Sequence, residues 1–160
     1  MPRSEPLVLM RRPPATLRRR PLNEFARCLV ASVTGGQLFH CLITDDRELR
    51  RLNREFLGRD YATDVLSFAA ERVARPSNGP EIMPVPPLLG EVAISAERAA
   101  EQARDFGHSL SQEVCILMLH GVLHLMGMNH ERDRGAMARA EADWRRKLGL
   151  PPGLIERVGA

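Results

Sequence analysis

From Ser109 to Met126 the chain offers water almost no face. The stretch SLSQEVCILMLHGVLHLM puts hydrophobic side chains on most sides of a helix. Such a helix has to be buried, so the rest of the fold must wrap it. Ser109 followed by Gln112 is a helix-start pattern, in which each side chain reaches the other's backbone N–H. Gly127 is placed to end the helix. The apolar run 114–126 is broken by two histidines and a glycine and is too short to cross a bilayer. The chain has 160 residues, 44% hydrophobic and only 4% aromatic. That predicts one domain, 1–160, with a core mainly of Leu, Val, Ile, Ala and Met.

Around the central helix the hydrophobic period switches repeatedly between strand-like and helix-like. Strands are expected at 7–10, 37–44, 63–69 and 88–95. Pro21 opens a helical pattern with Leu22, Phe25, Ala26, Leu29, Val30 and Val33 on one face, and Gly35-Gly36 ends it. Asp45 with Glu48 resembles a capping box and starts a helix to about Phe56. Residues 96–106 form an Ala-rich helix, and 131–148 a charged one stopped by Gly149 and Pro151-Pro152. Residues 71–87 are Pro-rich and read as a surface loop. Residues 1–20 are expected to form a basic, flexible N-terminal segment. Within it, 11–20 reads either as a solvated loop or as a phosphate-contacting patch. The predicted class is α+β: a small mixed sheet of about four strands packed with about five helices.

Three of the five histidines lie in one short run, His120-Gly-Val-Leu-His124-Leu-Met-Gly127-Met-Asn-His130. Residues i and i+4 project from one helix face, with Cβ atoms roughly 6 Å apart, so two imidazoles can grip one ion. A ligand at i+10 cannot share that face unless the helix stops and the chain turns back. Gly127 sits where that break is needed. The pattern matches the zincin-type H-x-x-x-H-x-x-G-x-x-H spacing. Three imidazoles predict one zinc ion with its fourth position open, as in catalytic sites; nickel, copper or iron would also accept them. Zincin peptidases carry glutamate after the first histidine as general base. Here that residue is Gly121, which argues against proteolysis. Three neutral ligands leave the metal's full charge, which suits a phosphodiester. His40 reads as structural, and His108 as a capping or surface residue.

Net charge is +3, and every basic side chain but Lys147 is arginine, the better residue for paired phosphate contacts. Cys28, Cys41 and Cys115 lie far apart in apolar surroundings and read as reduced, buried thiols. The first twenty residues lack an apolar signal core, so a cytoplasmic protein without membrane attachment is expected.

Three segments in order, LNREFLGRDYATDVLSF at 52–68, LLGEVAIS at 88–95 and HGVLHLMGMNH at 120–130, resemble the bacterial YbeY family. The resemblance runs from about Gln37 to Leu148. It implies a zinc-dependent endoribonuclease with a cleft beside the metal, cutting single-stranded RNA. The implied role is maturation of the small-subunit rRNA 3′ end and ribosome quality control, with the ribosomal small subunit and a ribosome-associated protein as partners. Thr63, Asp64 and Ser67 match the family's strand near the site. Asp64 reads as hydrogen-bonding a metal ligand or water, or as satisfying local backbone. Three departures stand out. Asn129 replaces the family's aspartate before the third histidine, Glu91 replaces an aspartate, and Leu57 occupies the position of a catalytic arginine. Arg59, two residues on, is the nearest cation that could take that role.

Three functions follow as expectations: a metal-dependent endoribonuclease; a non-catalytic, metal-stabilised ribosome-assembly factor, favoured by Leu57 and Asn129; and a metallopeptidase, disfavoured by Gly121.

Overall fold

The computed structural model describes residues 6–60, 63–70, 88–129 and 134–151. The elements run β1 (Val8–Met10), α1 (Arg19–Ser32), β2 (Phe39–Thr44), α2 (Asp46–Leu57), β3 (Val65–Ala69), β4 (Gly90–Ser95), α3 (Ala96–Phe106), α4 (Leu110–Leu125) and α5 (Ala136–Leu148). The four strands form one mixed sheet in the order β1-β2-β4-β3, with β3 antiparallel to β4 and the other neighbours parallel. This is the α+β arrangement that the periodicities predict.

Strand alternation decides which helices cover which face. Cys41, Ile43, Val92 and Ile94 turn into the principal core, against α1 and α4. Leu66 and Ala93 turn the other way and join Leu49 of α2, with Leu52 and Phe68 at the edge. Helix α4 packs on β3, β4, α1, α3 and α5, and every residue from Ile116 to Leu123 is buried. Its Ser109–Gln112 capping box is complete in both directions.

Helix α4 approaches the sheet closely because residue 121 has no side chain. A Cβ there would lie 2.7 Å from Val92 Cγ1 and 3.2 Å from Ser67 Oγ. The Ser67 hydroxyl instead donates to the Gly121 carbonyl at 2.9 Å, tying β3 to α4. Both valine methyls sit on a stiff β-branched stem, so the strand has little room to yield.

Two expectations change. Helix α5 begins at Ala136, not 131, because Gly135 takes the left-handed conformation that a continuing helix cannot hold. The basic segment is not a loose extension where it is described: Leu7, Val8 and Leu17 are buried, and Asn23 Oδ1 accepts from the Leu7 and Val8 N–H groups. The Pro-rich stretch 71–87 lies outside the described residues.

Gly121→Ala should cost about 1–3 kcal/mol, the usual range for overpacking a tight core. Urea unfolding of the two proteins measures it. A midpoint unmoved from that of the parent would mean that the α4–β4 contact relaxes freely.

Candidate metal centre and cleft

His120 and His124 lie one turn apart on α4 and face each other, with ring centroids 4.7 Å apart and Nε2 atoms 3.1 Å apart. His120 is buried and His124 half-buried. The outer nitrogen of each ring is held. His124 Nδ1 lies 3.0 Å from the Met128 carbonyl, which can only accept, so Nδ1 carries the proton. His120 Nδ1 lies 2.8 Å from Oε2 of Glu141, a carboxylate at the buried centre of α5. With both Nδ1 atoms donating, neutral rings point two lone pairs at each other across 3.1 Å. Such a pair repels unless a positive charge stands between. A Lewis-acidic cation coordinated by both Nε2 atoms fits this arrangement, and the carboxylate and carbonyl partners are those that metal-binding imidazoles commonly have.

The turn that the histidine spacing requires is present. Gly127 adopts φ +92°, its N–H donates to the His124 carbonyl, and the Met128 N–H donates to the Leu123 carbonyl. The chain returns to the cleft at Asn129, the residue before His130. His130 itself lies outside the described residues. Among the described residues no three His, Cys, Asp or Glu side chains converge as a metal-holding group.

The two histidines open into a cleft of 590 Å³ whose walls include Leu57, Arg59, Thr63, Asp64, Ser67 and Asn129. Thus the cleft gathers the candidate residues that flank α2 and β3 with the histidines of α4. Gly58 lets it do so: it caps α2 in the left-handed conformation, after which Arg59 donates its N–H to the Asn53 carbonyl. Asp64 Oδ2 accepts from Gln102 of α3 at 3.0 Å, and its backbone carbonyl accepts from Ser95. Leu57 is 42% exposed.

Glu141 was not singled out by the sequence reading, nor was the Met128 carbonyl. A signal for Glu141 exists: it falls in the α5 row Met137, Glu141, Trp144, Leu148, whose other members pack against the core. A carboxylate in such a row needs a buried partner. His108 is not a surface or capping residue. Its ring pairs with the fully buried Glu113 side chain of α4 and stacks on Phe106. His40 stands on β2 beside Glu91 of β4, away from the cleft.

The thiols divide. Cys41 is buried and its thiol pKa is raised well above the ordinary range by desolvation; burial pushes Cys115 up to about 12. Cys28, expected to be buried, is exposed on α1. Neither Cys41 nor the half-buried Cys115 is a ready thiolate ligand near neutral pH.

A mixed-sheet α+β fold whose cleft is floored by a helical His-x-x-x-His pair defines a class of small histidine-centred proteins. The comparisons narrow it further. A family model described as endoribonuclease YbeY matches residues 22–149, taking in α1 as well as the three segments noted above. A protein named endoribonuclease YbeY from Solibacter usitatus is 58% identical over 151 residues, covering 94% of this chain and 93% of that one. Its namesake from Koribacter versatilis is 42% identical, covering 95% and 91%. The solution structure of TM1509 from Thermotoga maritima aligns with a TM-score of 0.49 at 24% identity, over 79% of this chain and 83% of that one. The chain belongs to the endoribonuclease YbeY family.

In the native protein only Cys28 should react promptly with a thiol reagent such as DTNB; Cys41 and Cys115 should follow on unfolding. Prompt reaction at Cys41 would contradict its burial in the principal core.

Proposed function

We propose that this protein is a zinc-dependent endoribonuclease acting on single-stranded RNA, in small-subunit rRNA 3′-end maturation and ribosome quality control. The cytoplasm, the ribosomal small subunit and a ribosome-associated protein are the setting and partners of that reading. One observation carries it: two imidazole nitrogens converge at 3.1 Å with both outer nitrogens already donating. Family membership supplies the substrate class.

His120 and His124 would hold the metal through Nε2, with His130 the third ligand by its place in the motif. Bound there, zinc supplies a Lewis acid for a phosphate oxygen and lowers the pKa of a coordinated water. The protein's own groups do the rest. Glu141 and the Met128 carbonyl fix ring orientation and keep both Nε2 lone pairs turned inward. Ser67, through the Gly121 carbonyl, holds the floor of the cleft at a fixed distance from β3. Arg59 lines the cleft and can reach a phosphate with two directed N–H groups. Asp64 and Asn129 line it as polar walls. Peptidase chemistry has no place for its glutamate, because any side chain at 121 meets Val92. A metal-stabilised assembly factor without nuclease activity is the second reading. The leucine at 57, on the cleft wall where the family has arginine, favours it.

The purified protein should hold about one zinc per chain, lost in His120→Ala/His124→Ala. Glu141→Gln should keep the fold and weaken zinc about 10–100-fold, the usual effect of removing such a hydrogen-bond partner. Elemental analysis and competition with a chelating dye measure both. Full zinc in the double histidine variant would refute the ligand assignment.

The zinc form should cut single-stranded RNA and leave casein intact. Arg59→Ala should slow cleavage by up to about 10²–10³ at unchanged zinc content, the range for losing one preorganised donor. Leu57→Arg should raise the rate. Initial rates at matched zinc decide. Equal rates for Arg59→Ala and the parent would remove Arg59 from the reaction, and no RNA cleavage by any zinc-loaded form would favour the assembly factor.

A further inference from the structure

Helix α2 carries a second feature that leads into the same cleft. Arg47, Arg50, Arg54 and Leu57 stand at i, i+3, i+7 and i+10, one row along one face, about 15 Å from end to end. Leu57 is the member that lines the histidine cleft. The other three, with Arg12, Arg51, Asp45 and Glu48, line an adjoining groove of 650 Å³. Five guanidiniums face two carboxylates there.

Those charges are not all committed. Arg12 pairs with Asp45, Arg50 with Asp60, and Arg51 with both Glu48 and Glu55. The guanidiniums of Arg51 and Arg50 hold the Glu48 and Asp60 carboxyls below their ordinary ranges. Arg47 and Arg54, both exposed, form no ion pair among the described residues. The opposite side of α2 is spent on packing, through Leu49, Leu52 and Asn53. The ion pairs of α2 leave Arg47 and Arg54 outside them, although the Arg54 charge also helps hold the Asp60 carboxyl low. A polyanion laid along the groove would take them up, and the row points it at the histidines.

We infer that the arginine row of α2 is a backbone-binding track for the RNA strand flanking the cleavage point, with Arg47 and Arg54 each contacting a phosphate. This rests on the nuclease reading for its substrate and adds where the rest of the strand runs. The contact is to phosphates, so it is independent of sequence and sensitive to salt.

The test is a salt titration of binding to a fluorescent 2′-O-methyl RNA single strand of about 20 nucleotides. The proteins are the parent, Arg47→Ser/Arg54→Ser, and Arg104→Ser/Arg146→Ser as an equal charge loss on α3 and α5. The α2 variant should bind several-fold more weakly. Its log K against log salt slope should be shallower by about 1.4, from 0.7 per single-strand phosphate contact. The control should keep the parental slope. Cleavage of a long strand should also fall more in the α2 variant than cleavage of a trinucleotide. A parental slope in the α2 variant overturns the track, as does an equal loss in the control. Failure of the parent to cut any RNA would count against the nuclease reading alone, because the binding slopes still decide the track.

Discussion

An imidazole on a buried helix must have its outer nitrogen answered from within the protein if its inner nitrogen is to face a cleft. That requirement organises the molecule around α4. His120 cannot turn to water, so its Nδ1 is met by a carboxylate carried in on a different helix, 21 residues away in sequence. His124, nearer the opening, is answered more cheaply by the carbonyl of its own turn. The same helix repeats the device at its other end, where the buried Glu113 takes His108. Two carboxylate–imidazole pairs thus anchor an otherwise oily rod at both ends. Glycine at 121 lets the sheet close against its middle.

Much of this was legible in the sequence, for identifiable reasons. Helix α3 matches its predicted limits because Ser95 and Gly107 cap it with side-chain and backbone geometry that the residue types themselves specify. The strands came out slightly shorter than predicted, since their first residues pair only partly with a neighbour. The histidine pair was readable from spacing alone, because i and i+4 on a helix admit one geometry. Glu141 was not, because a glutamate in a charged helix looks like any solvated residue until the row it shares with Met137 and Trp144 is recognised as inward-facing. The α5 start is not legible, because the charged pattern of 131–148 runs through Gly135 without a break, whereas the chain uses the positive φ of that glycine. Cys28 lies one helical position off the buried face of Leu22, Ala26 and Leu29, and hydropathy of the window could not separate the two.

The chain's preference for arginine takes on spatial meaning only in three dimensions. Along the sequence the arginines of α2 look equivalent. On α2 they sort into those bound to carboxylates and two that are not, and the unbound two share a row with the cleft wall. The row ends in leucine at the cleft wall, so positive charge stops at Arg54, one turn short of it, and resumes at Arg59 beyond Gly58. A strand crossing that gap would meet an apolar step between two cationic holds.

Synthesis order gives the Glu141 contact a further meaning. Chains emerge N-terminus first, so His120 leaves the ribosome ahead of the helix that carries its partner, 21 residues on. Until α5 docks, His120 Nδ1 lacks the carboxylate that turns its other nitrogen toward His124. The arrangement of the histidine pair therefore waits on the docking of α5. A chain cut before α5 would carry both histidines of α4 and lose the carboxylate that orients one of them.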